Sequence, residues 1–327
     1  MIVKKRKNCC PLNVPFSKME WEGEVVIEQI CLDSVRIKEK MKEIVDENIL
    51  NEDLKVKLIS FIEEKKQFSF AELAYYHYIA FDGKNDKAIE LLASGIELLI
   101  LSADIFDDIE DKDNLQASWM KLDPSIATNA ATALYTLSLQ VIGSVSNHPK
   151  LLSLTLQYSL QSLQGQHVDL NLTASSESEY IEMIKLKSGS LVTLPSILGV
   201  YLATGECNET VEEYSRYLGV VEQIANDHYG LYYPNNNDFK TRHTLAFNYL
   251  KNKFNQSSID LLNFYAKENH MINNLEDLKG KLRESGVIQY LNVIKNLAVE
   301  NFKESFKKLR LDEQRKNKLL IQLLRGI

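Results

Sequence analysis

A run of oily, helix-forming residues that ends in a knot of acids constrains this chain more than any other feature. Residues 96–114 read IELLILSADIFDDIEDKDN. On a helix advancing ~100° per residue, Asp108 lies about 40° to one side of Asp104, while Asp107 and Asp111 lie about 60° and 20° to the other. Glu97, two turns earlier, falls near the same line. The remaining positions, Ile96, Leu98, Leu99, Ile100, Leu101, Ile105 and Phe106, are apolar nearly all round, the mark of a buried helix. Acids crowded at the C-terminal end of such a helix repel one another and oppose its macrodipole. Something cationic must neutralise them, or some must hold protons. Mg²⁺ suits the task, because it takes carboxylate oxygens, keeps several waters and commonly shares its shell with substrate phosphate. A solvated acidic helix end is the ordinary explanation for a DDxxD; the oily helix leading into this one argues against it.

The rest of the chain reads as helical. Beyond Met41 only Pro124, Pro149, Pro195 and Pro234 remain, and apolar residues recur three and four apart. Pro124, Asn147-His148-Pro149 and Pro234-Asn235-Asn236-Asn237 are expected in loops, and Pro195, inside an apolar stretch, is expected to kink a helix without ending it. No linker or repeat divides the body. The expectation is one large all-α bundle over residues 41–327, enclosing a central cavity built from facing helices.

Residues 1–40 stand apart. They hold three of the four cysteines and eight Lys/Arg against six Asp/Glu, without sustained periodicity. They are expected to be a disordered or non-native N-terminal extension, with Lys38-Glu39 compatible with a ribosome-binding sequence ahead of a start at Met41. The net charge of −7 argues against nucleic acid, whose affinity rests on Lys and Arg. No apolar run approaches the ~18 residues of a membrane span, and the basic opening lacks the apolar core of a secretory signal. Four cysteines in that setting point to a reducing cytoplasm.

Five segments in sequence order resemble the trans-isoprenyl diphosphate synthases. Asp107, Asp108 and Asp111 stand in the first DDxxD, and Gly165-Gln166-His167-Val168-Asp169-Leu170 resembles the GQxxDL helix. Lys187-Ser188 stands for Lys-Thr, Gly219-Val220-Val221-Glu222-Gln223-Ile224 for LGxxFQI, and Arg242-His243-Thr244-Leu245 for KxTLP. The departures matter as much. The second aspartate motif is reduced to Asn226-Asp227-His228-Tyr229-Gly230, Gln116-Ala117-Ser118 replaces Arg-Arg-Gly, and residues 68–84 lack the Gly-Lys-Arg and Arg-Pro that hold isopentenyl diphosphate. Two diphosphates need two sets of cations, and this chain offers one. The acceptor is therefore expected to be an uncharged, electron-rich group.

Within that family, MKEIVDENI, ILSADIFDDIED, GQHVDL, LKSGSL and ATGECNETVEEYS are similar to the isoprenyl transferases that modify a tryptophan of a pheromone precursor peptide in Gram-positive quorum sensing and competence. The resemblance implies an allylic donor, geranyl or farnesyl diphosphate, and a Trp-containing peptide acceptor, and it allows a homodimer. It implies Mg²⁺ held by Asp107 and Asp111, with Asp108 as a ligand or as support behind them and Asp227 as an additional candidate. Lys187 and Arg242 would contact the diphosphate, and Gln166 and Asp169, three apart on one helix face, would assist a metal water or the cation. Asp104 joins this substrate set, and the small Ser102 and Ala103 would leave room for the prenyl tail. Two alternatives stay open: a short-chain polyprenyl diphosphate synthase, and a non-catalytic regulatory subunit of one.

Overall fold

The computed structural model describes residues 32–112, 114–145, 150–174, 176–232, 244–266, 272 and 274–325, and among these every regular element is helical. In chain order they are α1 Ser34–Asn48, α2 Glu52–Glu64, α3 Ser69–Ala80, α4 Asp86–Asp111, a 3₁₀ turn Trp119–Lys121, α5 Pro124–Ser144, α6 Lys150–Leu170 and α7 Glu177–Ile184. A π turn, Lys185–Gly189, joins α7 to α8 Ser190–Thr204. Then follow α9 Glu209–Gly230, α10 Leu245–Lys251, α11 Gln256–Tyr265, α12 Leu275–Ser285, α13 Val287–Lys307 and α14 Glu313–Leu324. Most helices start where a short polar side chain can take up an orphan amide: Asn51, Asn85, Asn208, Asn255 and Asn274 all cap in this way.

Helix α8, SLVTLPSILGVYLAT, is apolar around its whole circumference and sits at the centre, against α3, α6 and α9. It runs through Pro195 without ending. The hydroxyls of Thr193 and Ser196 donate to the carbonyls of Gly189 and Val192 on either side of the proline. The continuous helical run 177–204 is long and apolar enough to cross a membrane, and 83% of its apolar window is buried in the fold. Helix α4 lies between α5 and α3. Its segment from Leu92 to Ser102 is buried on every side, as the sequence requires. Helices α1 and α2 pack on the α4/α5 side and α10–α13 build a third apolar cluster with α7 and α9.

Two expectations need correction. Among the described residues helical structure begins at Ser34, with Asp33 accepting from the amides of Val35 and Arg36, seven residues before the expected boundary at Met41. Ile37 and Met41 of this helix are buried together, so residues 34–40 are part of the bundle. Pro124 is not in a loop but at the first position of α5 behind the cap Asp123, where its missing N–H costs nothing. Residues 1–31, Asn147-His148-Pro149 and Pro234–Asn237 lie outside the described residues.

One buried polar pair ties the central helices together. His77 of α3 is wholly buried; its Nδ1–H donates to the Leu73 carbonyl at 2.7 Å, so Nε2 accepts from the Tyr214 hydroxyl of α9, also at 2.7 Å. Burial pushes the imidazole pKa down to about 4, only partly opposed by the Leu73 contact. The unfolded chain takes up this proton near 6.5, whereas the folded protein resists it. The associated stability is therefore full above pH 6.5 and is lost as pH falls from there toward 4. Urea unfolding should show the wild type losing about 3 kcal/mol more than His77→Gln across that interval.

Candidate active site

The acids of α4 divide by direction. Asp107 points across the bundle: its Oδ1 accepts from Gln166 Nε2 of α6 at 3.1 Å and lies 3.6 Å from the Lys187 ammonium. Lys187 in turn donates to Asp169 Oδ2 at 2.7 Å. All three charged groups are over nine-tenths buried. One ammonium thus lies between carboxylates from two facing helices, and part of the neutralising charge required by the sequence comes from the protein itself. Gln166 also donates to Glu110 at 2.8 Å, while its buried Oε1 accepts nothing from the protein.

Asp108, ~100° further round, is fully buried on another side. Its Oδ2 accepts from the Trp119 indole N–H at 2.8 Å and from Asn114 at 3.1 Å. These contacts lie apart from those of Asp107 with Gln166 and Lys187. Asp111 is half-buried one turn beyond Asp107. Among the described residues no three acidic, histidine or cysteine side chains converge as a metal-binding group.

The other acids of α4 serve elsewhere. Glu97 accepts from the Ala71 amide at 2.8 Å and pairs with Lys65 at 2.9 Å. Burial works to lower the Lys65 pKa, but the charges of Glu97 and Asp104 outweigh it and hold the ammonium above its ordinary value. Asp104 thereby adds its charge to the Lys65–Glu97 pair. Ser102 is wholly buried and donates to the Ala131 carbonyl of α5 at 2.9 Å. Its smallness brings α4 and α5 close together at this point. Ala103 is half-buried.

Lys187 owes its place to an irregularity. It lies in the π turn, and its carbonyl accepts from Ser162 Oγ of α6 at 3.0 Å. Two glycines clamp the turn. A Cβ on Gly165 of α6 would come 2.3 Å from the Lys187 amide nitrogen, and one on Gly219 of α9 would come 2.6 Å from Gly189 Cα. Both glycines belong to segments singled out in the sequence, so these motifs are close-approach surfaces as well as sources of polar groups.

The surviving acid of the second motif, Asp227, accepts from Tyr180 at 2.7 Å and from Gln223 at 2.9 Å, and Gln223 accepts from Ser188 of the π turn at 2.7 Å. Burial raises the Asp227 carboxyl to about 6 against these two hydrogen bonds; Asp169 pushes it further up and Lys187 down. Asp169, Lys187, Asp227, Tyr180, Gln223 and Thr244 line a small cavity closed by Met183 and Ile184. Trp119, Tyr180 and Ser188 received no role from the sequence. The spacing of Gln223, four before Asp227, was the one available signal. Arg242 lies outside the described residues.

Residues 69–278 match the polyprenyl synthetase family profile. The chain is 97% identical over 310 residues to tryptophan prenyltransferase ComQ of Bacillus subtilis subsp. natto (strain BEST195), covering 95% of this chain and 98% of that protein. It is 44% identical over 280 residues to tryptophan prenyltransferase ComQ of Bacillus subtilis (strain 168), covering 84% and 94%. In fold it is similar to the geranylgeranyl pyrophosphate synthetase of the archaeon Geoglobus acetivorans, with a TM-score of 0.74 at 19% identity, over 89% of this chain and 96% of that one.

The glycine clamp has a measurable consequence. Gly165→Ala drives a methyl into backbone atoms that cannot yield and should lower stability by about 3 kcal/mol. Gly280→Ala, where a Cβ meets nothing within 4 Å, should be neutral or slightly stabilising. Paired thermal melts of the two variants check this.

Proposed function

The chain belongs to the polyprenyl synthetase family, and we propose that it is a magnesium-dependent prenyltransferase moving a geranyl or farnesyl group from its diphosphate to a tryptophan of a pheromone precursor peptide. The observation that carries this reading is the 97% identity to a tryptophan prenyltransferase across 98% of that protein's length. The site favours one diphosphate. Among the described residues one buried ammonium, Lys187, serves both Asp107 and Asp169, and Asp227 is engaged by Tyr180 and Gln223. We place the reaction in the cytoplasm, where the four cysteines would stay reduced.

The residues present fit a hydrated divalent ion. Asp107 and Asp111 lie one turn apart, with Asp227 as a further candidate across the cavity, and the buried Gln166 Oε1 offers an acceptor to a metal-bound water. An ion bound there supplies positive charge to the departing diphosphate. Lys187, buried and charged, adds a directed donor to the leaving oxygen, and we assign Arg242 to the same task. The allylic cation must be kept from water, and we assign Ala103 a place beside its path. The C1–O bond breaks with its electron pair on the diphosphate, and indole C3 supplies the pair that forms the new bond to C1. The main-chain nitrogen then closes on indole C2 and releases its proton.

Purified protein with Mg²⁺, geranyl or farnesyl diphosphate and the Trp-containing peptide should add one prenyl mass to the peptide. Asp107→Asn should lower the rate at least roughly a hundredfold. Chain elongation of isopentenyl diphosphate without peptide modification would instead establish a polyprenyl diphosphate synthase.

The same reading includes a homodimer. Leu156, Leu163 and Leu170 recur every seven residues on α6, with Leu160 between them, and all four are exposed. Such a seam suits burial against a second copy of itself across a two-fold axis. Light scattering should give twice the mass of one chain for the wild type and a single chain for Leu160→Glu.

A further inference from the structure

The last turn of α4 is electrostatically disfavoured. Asp107, Asp108, Glu110 and Asp111 crowd a C-terminal helix end that has no basic residue in its final turn, and the macrodipole adds negative potential there. The chain reverses at once. Lys112 and Asn114 both take left-handed backbone angles, with φ of 54° and 47°. The Ala117 amide closes on the Asn114 carbonyl at 2.8 Å and Met120 on Ala117 at 3.1 Å. This reversal delivers Trp119 to the underside of the acidic turn, where its indole N–H donates to Asp108. The ring is buried and meets Phe61 of α2 edge-on, centroids 5.5 Å apart at 81°. The indole is thereby wedged between α2 and α4 with its polar edge on Asp108, while Asp107 faces Gln166 and Lys187.

We propose that Trp119 is a positioning residue of the active site. Acting through Asp108, its N–H holds the terminal turn of α4 in the orientation that aims Asp107 at Lys187 and Gln166. It supplies there the positive end of a dipole on the Asp108 side of a helix end whose C-cap is Lys112. The effect on ligand binding rests on the diphosphate reading; the effect on the turn itself does not.

Trp119→Phe keeps an aromatic ring against Phe61 and deletes only the donor. Calorimetric titration with magnesium and inorganic pyrophosphate should show binding roughly tenfold weaker in Trp119→Phe, with a melting temperature near that of the wild type. The double variant with Asp108→Ala should bind no more weakly than Asp108→Ala alone, because the donor has then already lost its acceptor. Unchanged affinity in Trp119→Phe, or losses that multiply in the double variant, would overturn the inference. A wild type that takes up no magnesium pyrophosphate sinks the diphosphate reading instead. The Trp119 inference is then decided by hydrogen exchange of amides 105–111. Faster exchange in Trp119→Phe, with no further gain in the double variant, upholds it; wild-type exchange refutes it.

Discussion

The site depends on one buried ammonium placed between carboxylates of two helices. Burying Lys187, Asp107 and Asp169 singly would cost several kcal/mol each; together they form a satisfied group held at 2.7 and 3.6 Å. The arrangement also fixes which helices must meet. Asp107 comes from α4, Asp169 from α6 and Lys187 from the break between α7 and α8. The bundle must bring three distant parts of the chain within a few ångströms, and it does so where side chains are absent, at Gly165 and Gly219.

Around that centre, the acids of the site are answered largely from other parts of the chain. Gln166 spans two acids of α4, Trp119 and Asn114 hold Asp108, and Tyr180 with Gln223 holds Asp227. In a low-dielectric interior an unanswered group would be costly, and a connected set is correspondingly rigid. Rigidity of this kind keeps the charged groups of the site in fixed directions.

Much of this was legible in the residues. Apolar positions around α4 announced its burial, and the 100° arithmetic put its acids on one broad face. The same arithmetic set Asp107 and Asp108 ~100° apart but could not say what each meets, because the contact of Asp108, Trp119, lies beyond the helix. The size of Ser102 was visible in the sequence, but its hydrogen-bond partner on α5 was not. The partner of Asp227, Tyr180, lies 47 residues away, outside any local pattern. The start of α1 was hidden by the Cys- and Pro-rich composition before it, although Asp33 is an ordinary cap.

The π turn at Lys185–Gly189 carries a lesson about length. A π turn holds one residue more than a regular α-helical turn, and that residue sets the phase between the cavity-lining α7 and the core-filling α8. Deleting it would rotate one segment against the other by ~100°, turning Tyr180 and Met183 from the cavity or Ile197 and Leu198 from the core. The stretch from Tyr180 to Gly199 is therefore constrained in its count of residues as well as in their kind.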